Sequence, residues 1–307
     1  MNDKSKSLFP GRWARILVAG GVLAAVLILY FSIGTRPPSG EDISGTIGLR
    51  PGAGVAETVQ DYLSSHLYQE AAWQCLEIGD RAMAVQILDT LRQIMHSRPV
   101  SVRKFGKPIN VSETFLVRFR KGVKGIFKVE KSDSLGPVKR EAAAYKLDEL
   151  LGFNLTPLTI MRGIELPDGT LERGSLMYFV KNCKPAMEVG SEKTDKLRLF
   201  DAIIGNSDRH ENNWLVRETG DIVAIDHNRT FRHDNTGFAV TYWHQEIQKI
   251  ANPRKLGPVY ERFKKIPARK FEESLRDVLE PDRLELFLST RKEIIKRIEK
   301  RKHKKHS

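Results

Sequence analysis

The stretch FDAIIGNSDRHENNWLVRETGDIVAIDHNRTF, Phe200 to Phe231, decides the reading of this chain. Leu199, Phe200, Ile203 and Ile204 recur at helical spacing, and Gly205-Asn206 stops that helix. Trp214 to Val216 and Ile222 to Ile225 are short apolar runs separated by Glu218-Thr219-Gly220-Asp221, which predicts a tight hairpin. This order puts Asp208 in a turn, Asn213 at the mouth of one strand and Asp226 just past the end of its partner. The last two then lie close enough to share a cation. Metal-assisted phosphoryl transfer needs a carboxylate beside an attacking hydroxyl and hard oxygen ligands for a divalent cation. Taken singly, Asp208, Asn206 and Asp226 are also ordinary turn and loop formers. The ordered set points to the chemistry.

Upstream, Thr114 to Phe119 and Gly125 to Val129 read as strands flanking an Arg120-Lys121-Gly122-Val123 turn, with Lys128 inside the second strand. A lysine there is also what a solvent-facing position on an alternating strand looks like. Lys139 to Phe153 is an amphipathic helix carrying Glu141, with Ala143, Leu147, Leu150 and Leu151 on its apolar side and Gly152 as a stop. Leu155 to Met161 and Ser175 to Val180 supply two more strands around the Pro167-Asp168-Gly169 turn. Beyond Phe231 the chain is mainly helical and ends in a basic amphipathic run, Leu284 to Lys305.

The resulting order is a strand hairpin with Lys128, a helix with Glu141, two strands, a helix, Asp208 and Asn213, a hairpin, and Asp226. It resembles the protein-kinase-like fold. DRHENN resembles the catalytic loop of phosphatidylinositol 3-/4-kinases. Phe127-Lys128 followed by REAAAYKLDELLGFNLTP is similar to the small lobe of four-jointed-type secretory-pathway kinases. LFDAIIGN and AIDHNRTF are similar to that group and to HipA-type bacterial kinases. The resemblance covers roughly Lys104 to Thr230 and rests on short motifs that are specific in combination. It implies an α+β, two-lobed fold, with a small antiparallel-sheet lobe and a larger helical lobe. It also implies ATP and Mg²⁺ or Mn²⁺ as cofactors, with protein Ser/Thr as the expected hydroxyl acceptor, from the four-jointed-like small lobe, and a phosphoinositide or other lipid or sugar headgroup as the alternative.

The roles it implies can be assigned residue by residue. Lys128 holds the nucleotide phosphates and Glu141 fixes its rotamer. Met177 to Val180, including Phe179, line the adenine pocket and offer backbone hydrogen bonds. Asp208 orients or deprotonates the acceptor hydroxyl, and Arg209 or His210 supports the loop or the transferred phosphate. Asn213 and Asp226 bind the metal. The chain departs from the ordinary protein kinases in two places. No GxGxxG precedes the first strands, where Gly106 to Ser112 takes the place of a phosphate-covering loop. His227-Asn228 also follows Asp226 instead of Phe-Gly. A pseudokinase scaffold is the alternative, and the presence of all five expected polar residues counts against it.

The rest of the chain sets the context. At 307 residues, with 40% hydrophobic and 29% charged content, it can build a sizeable core. The net charge is +13, but Arg291 to Ser307 holds nine Lys/Arg against two Glu, so +7 of the excess lies in one tail. That tail has no interleaved aromatics, and no nucleic-acid partner is expected. Two cysteines, Cys75 and Cys183, exclude a disulfide scaffold. Val55 to His96 shows helical periodicity twice, broken at Gly79-Asp80, and predicts a helical hairpin. Ile16 to Ile33 is an uncharged apolar run, long enough at ~1.5 Å per residue to span a bilayer.

The expected organisation is a cytoplasmic segment 1–15, a transmembrane anchor 16–34, a linker 35–54, the hairpin 55–98, a catalytic domain 99–290 and a basic tail 291–307. Lys4, Lys6, Arg12 and Arg15 precede the anchor, so the positive-inside rule places the catalytic domain outside the cytoplasm.

Overall fold

The structure of the protein, a computed structural model, describes residues 56–106, 113–130, 136–185, 190–231 and 238–304. The expected N-terminal segment 1–15, anchor 16–34 and linker 35–54 lie outside these, as do 107–112 of the phosphate-covering loop and the last three residues of the basic tail. Among the described residues no helix is long and apolar enough to cross a membrane.

The sheet that carries Lys128 is antiparallel and five-stranded. It comprises β1 (Ser101–Lys104), β2 (Thr114–Arg118), β3 (Lys124–Val129), β4 (Thr159–Glu165) and β5 (Leu171–Tyr178), in the order β1-β2-β3-β5-β4. Lys121 and Gly122, both with positive φ, turn the chain between β2 and β3. The register sets Lys128 opposite Thr114 on one side and Ser175 on the other. Side chains alternate across a strand, so Ile126 and Lys128 share one face while Phe127 is buried on the other. A Cβ at Gly174 would collide with the Lys128 carbonyl oxygen, so the close approach of β5 to β3 at this point requires glycine.

Three helices precede the sheet: α1 (Ala56–Ser64), α2 (Tyr68–Glu77) and α3 (Arg81–His96). The expected hairpin is thus divided once more, at His66, whose φ of 59° ends α1. Asp80 caps α3 by accepting from the Met83 amide. Val59, Leu63, Ala71, Trp73, Ile87 and Leu91 belong to the same apolar cluster as Phe127, Leu176 and Tyr178. The three helices and the sheet therefore share one core.

Helix α4 (Pro137–Leu151) lies between the sheet and the helical part of the molecule. It starts and ends two residues earlier than the periodicity predicts. Pro137 suits the first helical position, and Gly152, with φ of 70°, closes the last turn. Its plain amphipathic appearance is also corrected. Arg140, Glu141 and Asp148 are buried along with Ala143 and Leu147, because both faces are packed. The expected strand Leu155–Met161 begins only at Thr159. The backbone amides of Asn154, Leu155 and Thr156 donate to the Asp148 carboxylate at 2.7, 2.8 and 2.6 Å, which holds this segment as a loop.

The remaining elements are β6 (Cys183–Pro185), α5 (Ser191–Ile204), β7 (Trp214–Arg217), β8 (Ile222–Ala224), α6 (Phe238–Lys249), α7 (Gly257–Lys265), α8 (Ala268–Leu275) and α9 (Pro281–Lys304). Strands β6-β7-β8 form a second antiparallel sheet. Phe153, Phe200, Tyr260, Phe263 and Phe271 are buried in the core of this part. The basic run is partly structural. Arg291 stacks on Phe263 and Phe271 and donates to the carbonyls of Phe263, Lys264 and Ile266, which close the end of α7.

Asp148→Ala leaves buried amides without an acceptor. We expect a loss of about 2–4 kcal/mol in unfolding free energy by urea titration, from desolvated donors left unpaired. A loss under about 1 kcal/mol would show that the loop satisfies these amides in another way.

Candidate active site

The site is assembled around one ammonium group. Lys128 Nζ lies 2.5 Å from Glu141 Oε1 and 2.9 Å from Asp226 Oδ1, joining β3, α4 and the segment that follows β8. The second oxygen of Glu141 accepts the His227 backbone amide at 2.9 Å, so one buried carboxylate binds both Lys128 and the residue after Asp226. Burial by itself would lower the Lys128 pKa. The Asp226 and Glu141 carboxylates outweigh it and hold the group above its ordinary value. Burial would likewise raise Glu141, but the Lys128 charge, followed by His227, holds it below the usual carboxylate range.

Asp226 has a φ of 58°, a left-handed conformation for a residue with a Cβ. It turns the chain out of β8 at the point where the carboxylate meets Lys128. Such backbone costs of order 1–3 kcal/mol and persists where the surroundings over-determine it. The surroundings here are the Glu141–His227 bond on one side and Arg140 donating to the Asn228 carbonyl on the other.

The loop before β7 is organised by Arg209. Its guanidinium pairs with Asp201 of α5, at 2.9 Å from Nε to Oδ2, and donates to the carbonyls of Asn213 and Ile225. Asp201 also accepts from Asn206 Nδ2, and Asn206 Oδ1 accepts the Asp208 amide. Asn213 Nδ2 donates to the Asp208 carbonyl at 2.7 Å. This fixes the orientation of the Asn213 side-chain oxygen. Ile225 donates its amide to the Asn213 carbonyl, bringing Asn213 and Asp226 onto adjacent backbone.

Of the two jobs left open for Arg209 and His210, these contacts give loop support to Arg209, which locks the loop to the segment that leads into Asp226. The His210 Nδ1 accepts the Asn212 amide and caps the short 3₁₀ turn Glu211–Asn213. Asp208 remains accessible and meets Arg229 NH1 at 3.3 Å.

Between the sheet and the hairpin β7–β8 is an open cleft bounded by Phe105, Ile126, Met177, Val180, Leu215 and Ile225. Lys128 and Asp226 lie at its polar end, and Phe179 and Tyr178 also contribute to its wall. Met177 sits in the ladder between Ile126 and Thr159. The amides of Tyr178, Phe179 and Lys181 donate to Leu158, Lys124 and Glu70. Among the described residues the Val180 amide makes no such bond. The cleft is apolar with charged groups at one end, as a planar heterocycle carrying an anionic tail requires.

Asp201 and Gly174 escaped the sequence reading, and His227 entered it only as a departure from Phe-Gly after Asp226. Asp201 left a trace as an acid placed within the apolar run of LFDAIIGN.

Comparison with known proteins gives one family match and several remote likenesses. Residues 164–303 match the family model described as phosphatidylinositol 3- and 4-kinase. A relative in rice (Oryza sativa subsp. japonica), phosphatidylinositol 4-kinase gamma 4, is 28% identical over 127 residues, covering 34% of this chain. The chain spans only 22% of that relative's length. Among solved structures, hydra Fam20 with sugar aligns with a TM-score of 0.48 at 17% identity, covering 72% of this chain and 91% of the other. The Rio2 kinase–ADP/Mg²⁺-phosphoaspartate complex from Chaetomium thermophilum aligns with a TM-score of 0.34 at 13% identity, covering 97% and 100%. The match covers a little under half of the chain; over that part the chain resembles the phosphatidylinositol 3-/4-kinases, in line with an atypical protein-kinase-like fold.

The sign of the pH dependence follows from the two shifts. Glu141 is depressed in the folded state, so its contribution is fully present above the ordinary value of 4.5 and is lost as pH falls. Lys128 is raised, so its contribution holds below 10.5 and is lost above it. Glu141→Gln should flatten the acid limb of stability, read as urea midpoints over descending pH. An acid limb as steep as that of the parent protein would falsify the assignment.

Removing one partner of the buried Arg209–Asp201 pair leaves the other charge uncompensated. Arg209→Met should cost about 3–5 kcal/mol, measured by denaturant titration.

Proposed function

We propose that this chain is an ATP-dependent kinase that transfers the γ-phosphate to a hydroxyl acceptor. The observation that carries the reading is the double engagement of Lys128 by Glu141 and Asp226 at the polar end of an apolar cleft. Adenine would occupy the cleft against Ile126, Met177, Phe179 and Leu215, with Val180 as its backbone partner. The phosphates would then run toward Lys128, which Glu141 holds in place.

The donor set suits Mg²⁺ or Mn²⁺. Among the described residues no three His, Cys, Asp or Glu side chains cluster closely enough to cage a metal. Asp226 and Asn213 offer hard oxygens on adjacent backbone, and Mg²⁺ is ordinarily held by one or two such groups together with phosphates. When bound, the ion would neutralise charge on the β- and γ-phosphates. Asp208 takes the proton of the acceptor hydroxyl. The acceptor oxygen bonds to the γ-phosphorus, the bond from that phosphorus to the bridging oxygen breaks, and ADP leaves. Arg209 keeps Asp208, Asn213 and Asp226 in register. All five polar groups are present and mutually supported, which favours an enzyme over a pseudokinase scaffold.

The acceptor has two readings. A protein Ser/Thr acceptor rests on the four-jointed-like sequence around Lys128 and Glu141. A phosphoinositide or related lipid or sugar headgroup is favoured by the family match over 164–303. An N-terminal single-pass anchor over 16–34, with the domain outside the cytoplasm, completes the proposal and is tested by protease protection in sealed vesicles.

Labelled-ATP transfer to protein, lipid and glycan panels decides the acceptor. Asp208→Ala should lower transfer by about 10²–10⁴-fold and leave nucleotide affinity measurable. Asp226→Ala should instead weaken metal–nucleotide binding. Undiminished transfer by Asp208→Ala would sink the assignment, and nucleotide binding without transfer to any panel would favour the scaffold.

A further inference from the structure

The helices α1–α3 have no part in the chemistry proposed above, yet two polar residues of α2 are among the most buried in the molecule. Gln69 and Glu70 are 2% and 4% exposed. Polar side chains are buried at such cost only when their hydrogen bonds are made, and here the partners all belong to the segments that frame the cleft. Gln69 Oε1 accepts the Leu158 amide at 2.8 Å, next to Pro157 in the cleft wall. Glu70 Oε2 accepts the Tyr178 hydroxyl at 3.1 Å, and its Oε1 accepts the Lys181 amide at 3.2 Å. These two contacts bracket Phe179 and Val180. One turn further along α2, Trp73 lies under the Arg217 guanidinium at 5.0 Å, on the strand that carries Leu215.

Helix α2 therefore grips the connector between the sheet and the helical part at both ends, and grips the floor of the cleft as well. Leu158, Tyr178 and Arg217 come from three separate stretches of chain, and α2 is the element that ties them together. Burial raises Glu70 toward neutrality, and the backbone amides and the Tyr178 hydroxyl oppose this.

We propose that α2 is a latch on the interlobe connector, with Glu70 as its positioning residue, setting nucleotide affinity by holding Tyr178 to Lys181 in the shape that receives adenine. This rests on the kinase reading. Glu70 touches no reacting group, so its loss should act on nucleotide binding and spare the transfer step, which Asp208 and the Arg209-locked loop govern.

The test uses the full chain with ATP as probe. Glu70→Ala should raise KM for ATP by about tenfold, the effect of one or two lost buried hydrogen bonds, with kcat within about twofold. Glu70→Gln keeps an oxygen acceptor for the Lys181 amide and should stay within about threefold of the parent KM. If Glu70→Ala does not fold, Tyr178→Phe removes only the hydroxyl and should raise KM by about threefold to fivefold. A fall in kcat at unchanged KM, or a Gln variant as impaired as Ala, overturns the latch.

Amide hydrogen exchange separates this proposal from the kinase reading, because it needs no nucleotide. Exchange at Lys181 should be about tenfold faster in the Glu70 or Tyr178 variant. Parent protein that binds no ATP defeats the kinase reading, whereas unchanged exchange at Lys181 defeats the latch.

Discussion

The Lys128 ammonium, shared between Glu141 and Asp226, is the interaction on which the rest of this structure depends. It joins a strand of the large sheet, the helix behind it and the turn that leaves the second sheet. A charge so placed would be costly if either carboxylate moved away, since burial opposes the ammonium and the two acids must outweigh it. The surroundings are arranged to keep them there. His227 donates to Glu141 from the residue after Asp226, and Gly174 lets β5 close onto β3 beside Lys128. The left-handed backbone of Asp226 is the local cost of this arrangement.

A second buried ion pair does for the helical part what Lys128 does between the two parts. Arg209 and Asp201 bind the loop after α5 to β7 and to the end of β8, so that Asp208, Asn213 and Asp226 are referred to one rigid support. The two pairs meet at Ile225 and Asp226, adjacent in sequence. An apolar cleft opens from that junction, and α2 backs the connector beside it through Gln69 and Glu70. On the proposed function, the sheet, connector and α2 would serve nucleotide binding, and the Arg209 network would hold the groups for proton and metal chemistry.

The parts of this arrangement that could be read from sequence obey short-range rules. The hairpin around Lys121-Gly122, the stop at Gly205 and the β7–β8 turn follow from backbone preferences within a few residues. The order of Lys128, Glu141, Asp208, Asn213 and Asp226 was likewise visible as a motif. What misled were residues whose partners or burial the periodicity of their own segment does not show. Leu155 to Thr156 have strand-like composition, but Asp148 claims their amides. REAAAYKLDE has the look of a surface helix, but both of its faces are covered. For Arg209 the motif left loop support and phosphate contact both open, and the pairing with Asp201 and two carbonyls gives the first.

By itself the sequence determined the α+β order of elements, the turns, and the identity of the five polar residues. These depend on local periodicity and on residue chemistry at fixed spacing. Tertiary structure alone decided which carboxylates share Lys128, that Arg209 is a buried support and His210 a cap, and that Gln69 and Glu70 reach the connector. Those outcomes depend on which distant polar groups are buried together. Burial makes every hydrogen bond obligatory, and no spacing rule along the chain can specify its partner.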